Sequence, residues 1–300
     1  MSRVRHSLIV ALTVGFLTSF ASAQQVLFSD RGESSANFTV VQDPDTTVEF
    51  NVDYAALGIP EAPRTSTLPG SAVQRGIQIT ANKGDDAAAT ATAANLILGS
   101  TPQNFAGVHT LQYDVWMNVG GSSTSTTEGF LGGVARSTSN SAIYRNFRTG
   151  RGNGAWFYAT GDNGNATDDY AQLNNGARDV VFADTTNAES TAKFNNAFDN
   201  SLSGVNDDAA NEWVRVRVVN NGSTASVFFD DVLFSTNAVT NTGGFAWFGY
   251  EDMFGSVADA GIYGVFDNVV VTNVPEPTAL AALPVVGLLL GRRGRRGRTA

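Results

Sequence analysis

Residues 211–231, NEWVRVRVVNNGSTASVFFDD, decide the fold. Two runs of alternating apolar and polar residues flank Asn221-Gly222, a dipeptide that favours a two-residue hairpin turn because both positions accept a positive φ. A turn at these two residues makes Val216 oppose Val227 and makes Val214 oppose Phe229. One face of the hairpin is then apolar and the other is mixed, which predicts an antiparallel pair that is buried on one face.

Several further segments also have the sequence pattern of a β-strand. They are separated by Gly, Asn, Asp, Ser and Thr, which supply turns. Many short strands with turn residues between them predict an all-β chain, folded as a single antiparallel β-sandwich. AESTAKFNNAF is the one short helix expected, and DDAAATATAANLIL is left as a loop or a strand. The predicted strands are TVEFNVDY, TLQYDVWMNV, AWFYAT, RDVVFAD, GGFAWFGY and YGVFDNVVVT.

The N-terminus, residues 1–23, has the layout of a secretory signal peptide. Arg3 and Arg5 precede an apolar run over 8–20, and Ala21-Ser22-Ala23 places small residues at a cleavage site. The run is shorter than the roughly 20 residues that a membrane span requires, which argues against the alternative of a retained anchor. We expect signal peptidase to cleave after Ala23 and to leave residues 24–273 as the β-sandwich domain.

The C-terminus, residues 274–300, has the layout of a second sorting segment. Val274-Pro275-Glu276-Pro277 precedes a short apolar run over 279–291, and five arginines follow. As a helix this run would cover roughly 20 Å, against ~30 Å of bilayer hydrocarbon. We expect a transient inner-membrane insertion of this transmembrane segment, with the arginines on the cytoplasmic side.

These C-terminal residues resemble the PEP-CTERM sorting signal. The resemblance implies that an exosortase cuts near Pro275-Glu276-Pro277 and passes the protein outward. It also implies a location at the cell surface, outer envelope or extracellular matrix of a Gram-negative-type bacterium that makes extracellular polysaccharide. A chance VPEP before an ordinary tail anchor is the alternative.

The middle of the chain, from about 37 to 272, resembles the concanavalin A-like jelly rolls of lectins and glucanases. VDYAALGIPEAP, LQYDVWMNV and YGVFDNVVVT carry the resemblance. It implies a lectin-like sandwich and leaves the chemistry open.

Composition excludes several classes of function. Removing both ends takes away 7 of 19 basic and 1 of 28 acidic residues, which leaves 12 basic against 27 acidic residues and a net charge of −15 for 24–274. Such a surface repels nucleic acid, so we expect no nucleic-acid partner. The chain has no cysteine, which excludes disulfides, a thiol nucleophile and cysteine-ligated zinc.

Aromatic side chains on the polar faces of predicted strands are the candidates for glycan contact. Trp116 lies two residues from Asp114, Trp213 lies two residues from Arg215, and Trp156 is a further candidate. Indole rings stack on sugar faces while carboxylates and amides bind sugar hydroxyls. The alternative is that these rings pack within the sandwich or lie beneath loops.

The loop GDNGNATDD, 161–169, is the candidate metal site. Asp162, Asn163, Asn165 and Asp168 offer the hard oxygen ligands that calcium prefers, although the spacing is not that of an EF-hand. Calcium is the one cofactor that the sequence suggests, and a solvated polar loop is the alternative.

The sequence contains no recognisable catalytic constellation. The Glu-x-Asp-x-x-Glu pattern of jelly-roll glucanases is absent, and Glu49 and Asp53 on one strand would lie with their Cα atoms about 13 Å apart. Glu251 and Asp252 are adjacent and point to opposite faces of a strand, and His109 is interpreted as a polar residue at a strand end. We therefore predict an exported, non-catalytic protein that contacts glycan. A glycoside hydrolase with carboxyls on two strands and a purely structural envelope protein are the alternatives.

Overall fold

The structure is a computed structural model that describes eleven segments of the chain. The predicted signal peptide, the sorting segment and the candidate calcium ligands Asp162, Asn163, Asn165 and Asp168 lie outside the described residues. No helix in the described segments is both long enough and apolar enough to cross a membrane. The segments are 24–63, 74–82, 91–119, 128–137, 142–145, 151–160, 169–182, 188–198, 209–239, 243–253 and 261–273.

Sixteen strands and one α-helix make up the described part of the chain, together with a short 3-10 helix at Ser35–Asn37. The strands are β1 Val26–Asp30, β2 Phe38–Gln42, β3 Thr46–Asp53, β4 Arg75–Ala81, β5 Thr92–Leu98, β6 Asn104–Phe105, β7 His109–Asn118, β8 Glu128–Arg136, β9 Ala155–Thr160, β10 Tyr170–Asn174, β11 Ala177–Phe182, β12 Trp213–Asn220, β13 Thr224–Phe229, β14 Val232–Ala238, β15 Gly244–Asp252 and β16 Tyr263–Asn273, and the helix is α1 Ala188–Ala197.

The strands form two sheets. Sheet A has the order β14-β13-β12-β7-β16-β4-β3, with β1 also paired to β16. Sheet B has the order β11-β10-β9-β8-β15-β5-β2, with β6 also paired to β15. The strand pairs within both sheets are antiparallel throughout the described residues. The prediction of an all-β, antiparallel β-sandwich is confirmed.

The hairpin β12–β13 confirms the predicted faces and corrects the predicted register. Side chains alternate between buried and half-buried along both strands, as the sequence pattern requires. Val216 opposes Phe229 and Val218 opposes Val227, so the pairing is shifted by two residues from the prediction. The turn is centred one residue later, on Gly222 and Ser223, and Gly222 has φ +91°. The shift keeps every side chain on its predicted face because the side-chain period of a strand is two.

The core lies between the inner faces of the two sheets. Tyr113 of sheet A packs on Phe248 of sheet B with 5.3 Å between ring centroids, and Phe229 packs on Phe157 at 5.2 Å. Helix α1 closes one edge with Phe194, whose ring lies 5.3 Å from that of Phe234 on β14. The helix buries Phe194 and Ala197 in the core cluster and leaves Asn195 and Asn196 exposed, so the predicted short helix lies at the surface with one face packed inward.

The outer faces of both sheets are also buried over much of their area. A second apolar cluster lies on sheet B around Trp156 and Trp247, and a third lies on sheet A around Tyr54 and Val265. Strands β5, β8 and β9 are consequently buried along their whole length. A polar face predicted from alternation is therefore not always a solvent face in this protein.

Candidate functional site

Four of the five predicted glycan-contact residues meet on the outer face of sheet A. Trp213 on β12 is paired directly with Trp116 on β7, and Arg215 is paired with Asp114. The two indole rings lie 6.0 Å apart in an edge-to-face arrangement. The sequence predicted these residues as two separate candidates, and the pairing of β12 with β7 brings the two together.

This cluster is covered by the chain itself, which favours the alternative that these rings lie beneath a loop. The segment that follows β3, residues 54–63, lies over it and is called the cover segment below. Trp213 donates its indole N–H to the carbonyl of Pro60 at 2.7 Å, and Arg215 donates to the carbonyl of Pro63 at 2.8 Å. Trp213 and Arg215 therefore anchor backbone in the present structure, and Asp114 has no exposed surface.

Two carboxyl groups lie side by side beneath the cover segment. Asp267 on β16 is the direct cross-strand partner of Asp114. Asp114 accepts from Arg215 at 3.0 Å and from the side-chain amide of Asn268 at 2.7 Å, and Asp267 accepts from the Tyr54 hydroxyl at 2.9 Å. Burial raises the pKa of Asp114 to about 6 and that of Asp267 to about 7, even though the hydrogen bonds to both carboxyls oppose the shift.

Trp156 lies on the opposite side of the sandwich, so its assignment as a glycan contact is wrong for this conformation. Its side chain is fully buried on the outer face of sheet B, 5.6 Å from the ring of Trp247 and 6.1 Å from that of Tyr144. The Arg136 guanidinium lies 3.9 Å from the centre of the Tyr144 ring. The sequence could not show this burial because residues from a separate segment, 142–145, contribute the covering side chain.

An open cavity of about 350 Å³ lies at one end of the sandwich. It is found where β2 and β5 of sheet B and β4 of sheet A end or begin, and no described aromatic side chain lines it. Its volume falls at the lower end of the roughly 300–1,000 Å³ that ligand pockets occupy. The lining residues are Asp43, Pro44, Asp45, Asn82, Ala91, Thr92 and Arg145.

The polar groups of the cavity are held by fixed partners. Asp43 forms a 2.9 Å ion pair with Arg145 and accepts from the backbone N–H of Ala93 at 2.9 Å. Asn82, at φ +53°, donates to the buried carboxylate of Asp252 at 2.6 Å. These hydrogen bonds and ion pairs hold the side chains of the cavity in fixed rotamers. Less side-chain conformational entropy would then be lost when a ligand binds.

Thr92 offers a free hydroxyl at this place. Its side chain is only 7% exposed and lines the cavity, and its Oγ1 atom has no hydrogen-bond partner in the structure as described. A buried hydroxyl without a partner is costly, and a ligand hydroxyl that reached Oγ1 through a small shift of the cavity lining would recover that cost. No sequence pattern pointed to Thr92, Asn82 or Arg145, although Asp43-Pro44-Asp45 after a strand is a recognisable polar turn.

Three further carboxyl side chains lie along the end of sheet B that forms part of the cavity. Asp252 at the end of β15 pairs directly with Glu128 at the start of β8, and Asp169 precedes β10 two strands further along. The three side chains are all buried. The candidate calcium loop follows the last residue of β9 and precedes the first residue of β10. Both of these strand ends therefore lie at the same end of sheet B as the cavity.

The remaining sequence candidates for chemistry are separated from one another. His109 begins β7 and is buried, which lowers its pKa, and its Nδ1 atom lies 2.9 Å from the carbonyl oxygen of Gly107. Glu49 and Asp53 lie on the edge strand β3 on either side of an irregularity in the pairing. Among the described residues no group of three or more acidic or histidine side chains is arranged to hold a metal ion.

Comparisons with known proteins give likenesses of fold. No family model matches the chain, and no curated protein matches it in sequence. A Bacillus subtilis protein of unknown function with a galectin-like fold is similar in structure at 7% identity and a TM-score of 0.47, covering 84% of this chain and 98% of that one. The potassium-bound carbohydrate recognition domain of Emp46p is similar at 10% identity and a TM-score of 0.42, covering 82% and 93%. The carbohydrate-binding module CBM66 of Bacillus subtilis is similar at 16% identity and a TM-score of 0.35, covering 65% and 86%.

Proposed function

We propose that this chain is an exported, non-catalytic protein that contacts a neutral glycan through the cavity between Asp43, Asn82, Thr92 and Arg145. The observation that carries the proposal is the convergence of a carboxylate, an amide and a guanidinium on one open cavity, with the partner-free hydroxyl of Thr92 buried in its lining. Sugars present hydroxyl groups that both donate and accept hydrogen bonds, so this mixture of groups suits them.

The charges around the cavity favour a neutral ligand. Asp43 and Asp45 would repel a uronate or sulfate group, and the net charge of −15 on residues 24–274, from 12 basic and 27 acidic residues, would repel an anionic chain at longer range. Arg145 would oppose a divalent cation within the cavity because its guanidinium carries a positive charge. A polyol or neutral sugar unit avoids both the repulsion of an anion by the two aspartates and the repulsion of a cation by Arg145.

Export and sorting form the second part of the proposal. They rest on the signal-like residues up to Ala23 and on Val274-Pro275-Glu276-Pro277 with its arginine-rich end. Signal peptidase and an exosortase would act on the chain in turn. An extracellular polysaccharide at the cell surface or in the matrix would then be the partner that the cavity meets.

Calcium remains a proposed cofactor of the neighbouring loop. Asp162, Asn163, Asn165 and Asp168 supply oxygen ligands in sequence, and the strands that border the loop end near Asp252 and Glu128. Calcium bound there would fix a loop at the same end of sheet B as the cavity.

A glycoside hydrolase is the second candidate function, and one observation favours it. Glu128 and Asp252 are direct cross-strand neighbours, whose Cβ atoms lie about 4.5–5.5 Å apart in such pairs. Carboxyl groups of retaining glycosidases are separated by about 5–5.5 Å. Both side chains are buried in this structure, however, and a catalytic carboxyl must reach its substrate.

The test is a glycan array with the full chain purified after export, probed with and without calcium and with the producing organism's own polysaccharide. We expect binding to neutral glycans without release of reducing sugar. Release of reducing ends, abolished by Glu128→Gln, would instead establish the hydrolase. An array with no bound glycan would favour a purely structural envelope protein.

A further inference from the structure

A guanidinium is enclosed on the outer face of sheet B without a carboxylate beside it. Arg136, at the end of β8, has no exposed surface. Its Nη1 group donates to the side-chain oxygen of Asn95 at 3.4 Å, and its Nη2 group donates to the carbonyl of Ala142. Both acceptors are neutral, and no carboxylate of the described residues forms an ion pair with Arg136. Fully buried charges in proteins are normally paired, so Arg136 is an exception that needs a physical reason.

Aromatic rings pack against this guanidinium. The Cζ atom of Arg136 lies 3.9 Å from the centre of the Tyr144 ring and 5.6 Å from the centre of the Trp247 ring. Ring faces attract a cation, but they carry no net charge that could neutralise it. Burial still lowers the pKa of Arg136, to about 10, so the side chain remains charged at neutral pH. The described residues therefore leave its positive charge without a counter-charge.

Two buried N–H groups of the same cluster lack an acceptor. The Nε atom of Arg136 and the Nε1 atom of Trp247 have no hydrogen-bond partner within the described structure. Trp247, on β15, has no exposed surface either, so bulk water does not solvate these two groups. Both groups can only donate, and a buried donor without an acceptor is costly. Two unused donors beside an uncompensated positive charge are the features that bind an anion.

An irregularity in the strand pairing brings the two donors together. The β8–β15 register shifts between Phe245 and Trp247, and Ala135 in the shifted part of β8 has φ +60°. Such a bulge re-aims the side chain that follows it. Arg136 is consequently the cross-strand partner of Phe245, and its guanidinium packs on the aromatic cluster that contains Trp247.

We propose that the Nε–H of Arg136 and the Nε1–H of Trp247 hold a small monovalent anion of the chloride class. The anion accepts both hydrogen bonds and neutralises the guanidinium. Two hydrogen bonds that meet at one acceptor join donor atoms up to about 6 Å apart, which suits the 5.6 Å between Cζ and the Trp247 ring centre. The surrounding side chains have no exposed surface, so a bulky organic anion is excluded. This inference does not rest on the glycan site, because neither residue lines the cavity.

An anion at this place would also stabilise the segment 142–145. The side chain of Asn95 bonds to both backbone groups of Tyr144, and Arg136 bonds to the carbonyl of Ala142. An ion that fixes Arg136 therefore helps to fix the segment above it. The last residue of this segment, Arg145, lines the cavity, so occupancy of the anion site reaches the cavity lining.

Thermal melts of the full exported chain in chloride test the proposal. Sodium gluconate keeps the ionic strength constant, because gluconate is too large for the enclosed site. A ligand that binds only the folded state stabilises it in proportion to the logarithm of the ligand concentration. We expect the melting midpoint to rise by roughly 3–5 °C for each tenfold increase in chloride above the dissociation constant. An unchanged midpoint from millimolar to molar chloride would overturn the proposal.

Two pairs of variants separate a specific site from a general effect of salt. Trp247→Phe removes the indole N–H and keeps an aromatic ring, and it should abolish most of the rise. Trp213→Phe is its control, because the indole N–H of Trp213 already donates to the Pro60 carbonyl. Arg136→Met should abolish the rise, whereas Arg217→Met should keep it because Arg217 lies in an ion pair with an exposed partner. An equal rise in Trp247→Phe and wild type would contradict the site.

A crystal structure in bromide locates the ion directly and does not depend on the folding of any variant. Bromide has the charge of chloride and scatters anomalously. We expect an anomalous peak within about 3.5 Å of both Arg136 Nε and Trp247 Nε1. A water molecule in that place, with bromide in the crystal, would overturn the proposal even if chloride raised the melting midpoint.

Discussion

The carboxylate of Asp43 and the guanidinium of Arg145 form a 2.9 Å ion pair at the cavity, although they are 102 positions apart in the chain. Asp43 follows β2 directly, and Arg145 comes from the short segment 142–145 that packs against sheet B. Arg145 also donates to the carbonyl of Ala91 at 2.9 Å, so it ties the start of β5 to the turn after β2. The pair therefore joins two parts of the cavity lining.

Arg145→Gln should weaken glycan binding about tenfold while leaving the fold stable. The ion pair is partly exposed, and such pairs contribute only about 0–1 kcal/mol to stability. Arg217→Gln is the matched control, because Arg217 makes a pair of the same length with Asp231 on the outer face of sheet A. Titration calorimetry and thermal melts of both variants decide the point. Equal affinity in the two variants would remove Arg145 from the site.

The stability of the chain should depend on pH through Asp114 and Asp267. Both pKa values are raised by burial, so the folded state binds protons more tightly than the unfolded state. The stabilising contribution is then complete below about pH 4 and is lost as pH rises through about 6 and 7. Asp267→Asn should therefore gain roughly 2 kcal/mol relative to wild type between pH 5 and pH 8.5 in urea unfolding. A constant difference across that range would contradict this account.

Gly132→Ala should destabilise the sandwich by roughly 1–3 kcal/mol. A Cβ atom at Gly132 would lie 2.4 Å from the Tyr113 hydroxyl, which donates to the carbonyl of Leu131, and 3.1 Å from the Phe157 ring. Gly261→Ala is the control because no atom of the described residues lies within 4 Å of its added Cβ. Chemical denaturation of the two variants measures the difference. Similar midpoints would mean that the inner face tolerates the added methyl group.

Trp213→Phe should cost about 1 kcal/mol of stability and leave glycan binding unchanged. The substitution removes the hydrogen bond to the Pro60 carbonyl and keeps an aromatic ring beside Trp116. Urea unfolding and the glycan array, both near pH 6, check the two halves of this prediction. Lost binding with unchanged stability would restore the original interpretation of Trp213 as a glycan contact.

The positions of the strands could be predicted from the sequence, because the alternation of apolar and polar residues is a local pattern. TLQYDVWMNV and YGVFDNVVVT became the central strands β7 and β16. The inward face of β7 is the one that the period of two predicts, whereas the irregularity after Asp267 in β16 makes Val269 follow Phe266 on the inward face. The register of the β12–β13 pair could not be predicted from the sequence, because Asn221-Gly222 and Gly222-Ser223 can both occupy a tight turn. Local sequence could not choose between two registers that preserve the same faces.

The candidate site could not be predicted from the sequence, and the reason is different. Trp213 and Trp116 were recognised as neighbours of polar residues, but a loop packed from 54–63 turned that polar face into an interior. The cavity brings together Asp43, Asn82, Thr92 and Arg145 from four separate parts of the chain. None of these residues has a distinctive local pattern, and Thr92 matters only because its hydroxyl lacks a partner within the described structure.

The most direct measurement is the affinity of Thr92→Val for the glycan that the array selects, beside Thr110→Val as a control. Thr110 is buried on β7 of sheet A and does not line the cavity. Valine preserves the shape of Thr92 and removes a hydroxyl that has no partner among the described residues, so the fold should be as stable or more stable. We predict that Thr92→Val binds at least five-fold more weakly and that Thr110→Val binds like wild type. Equal affinity in wild type and both variants would contradict a glycan site at this cavity.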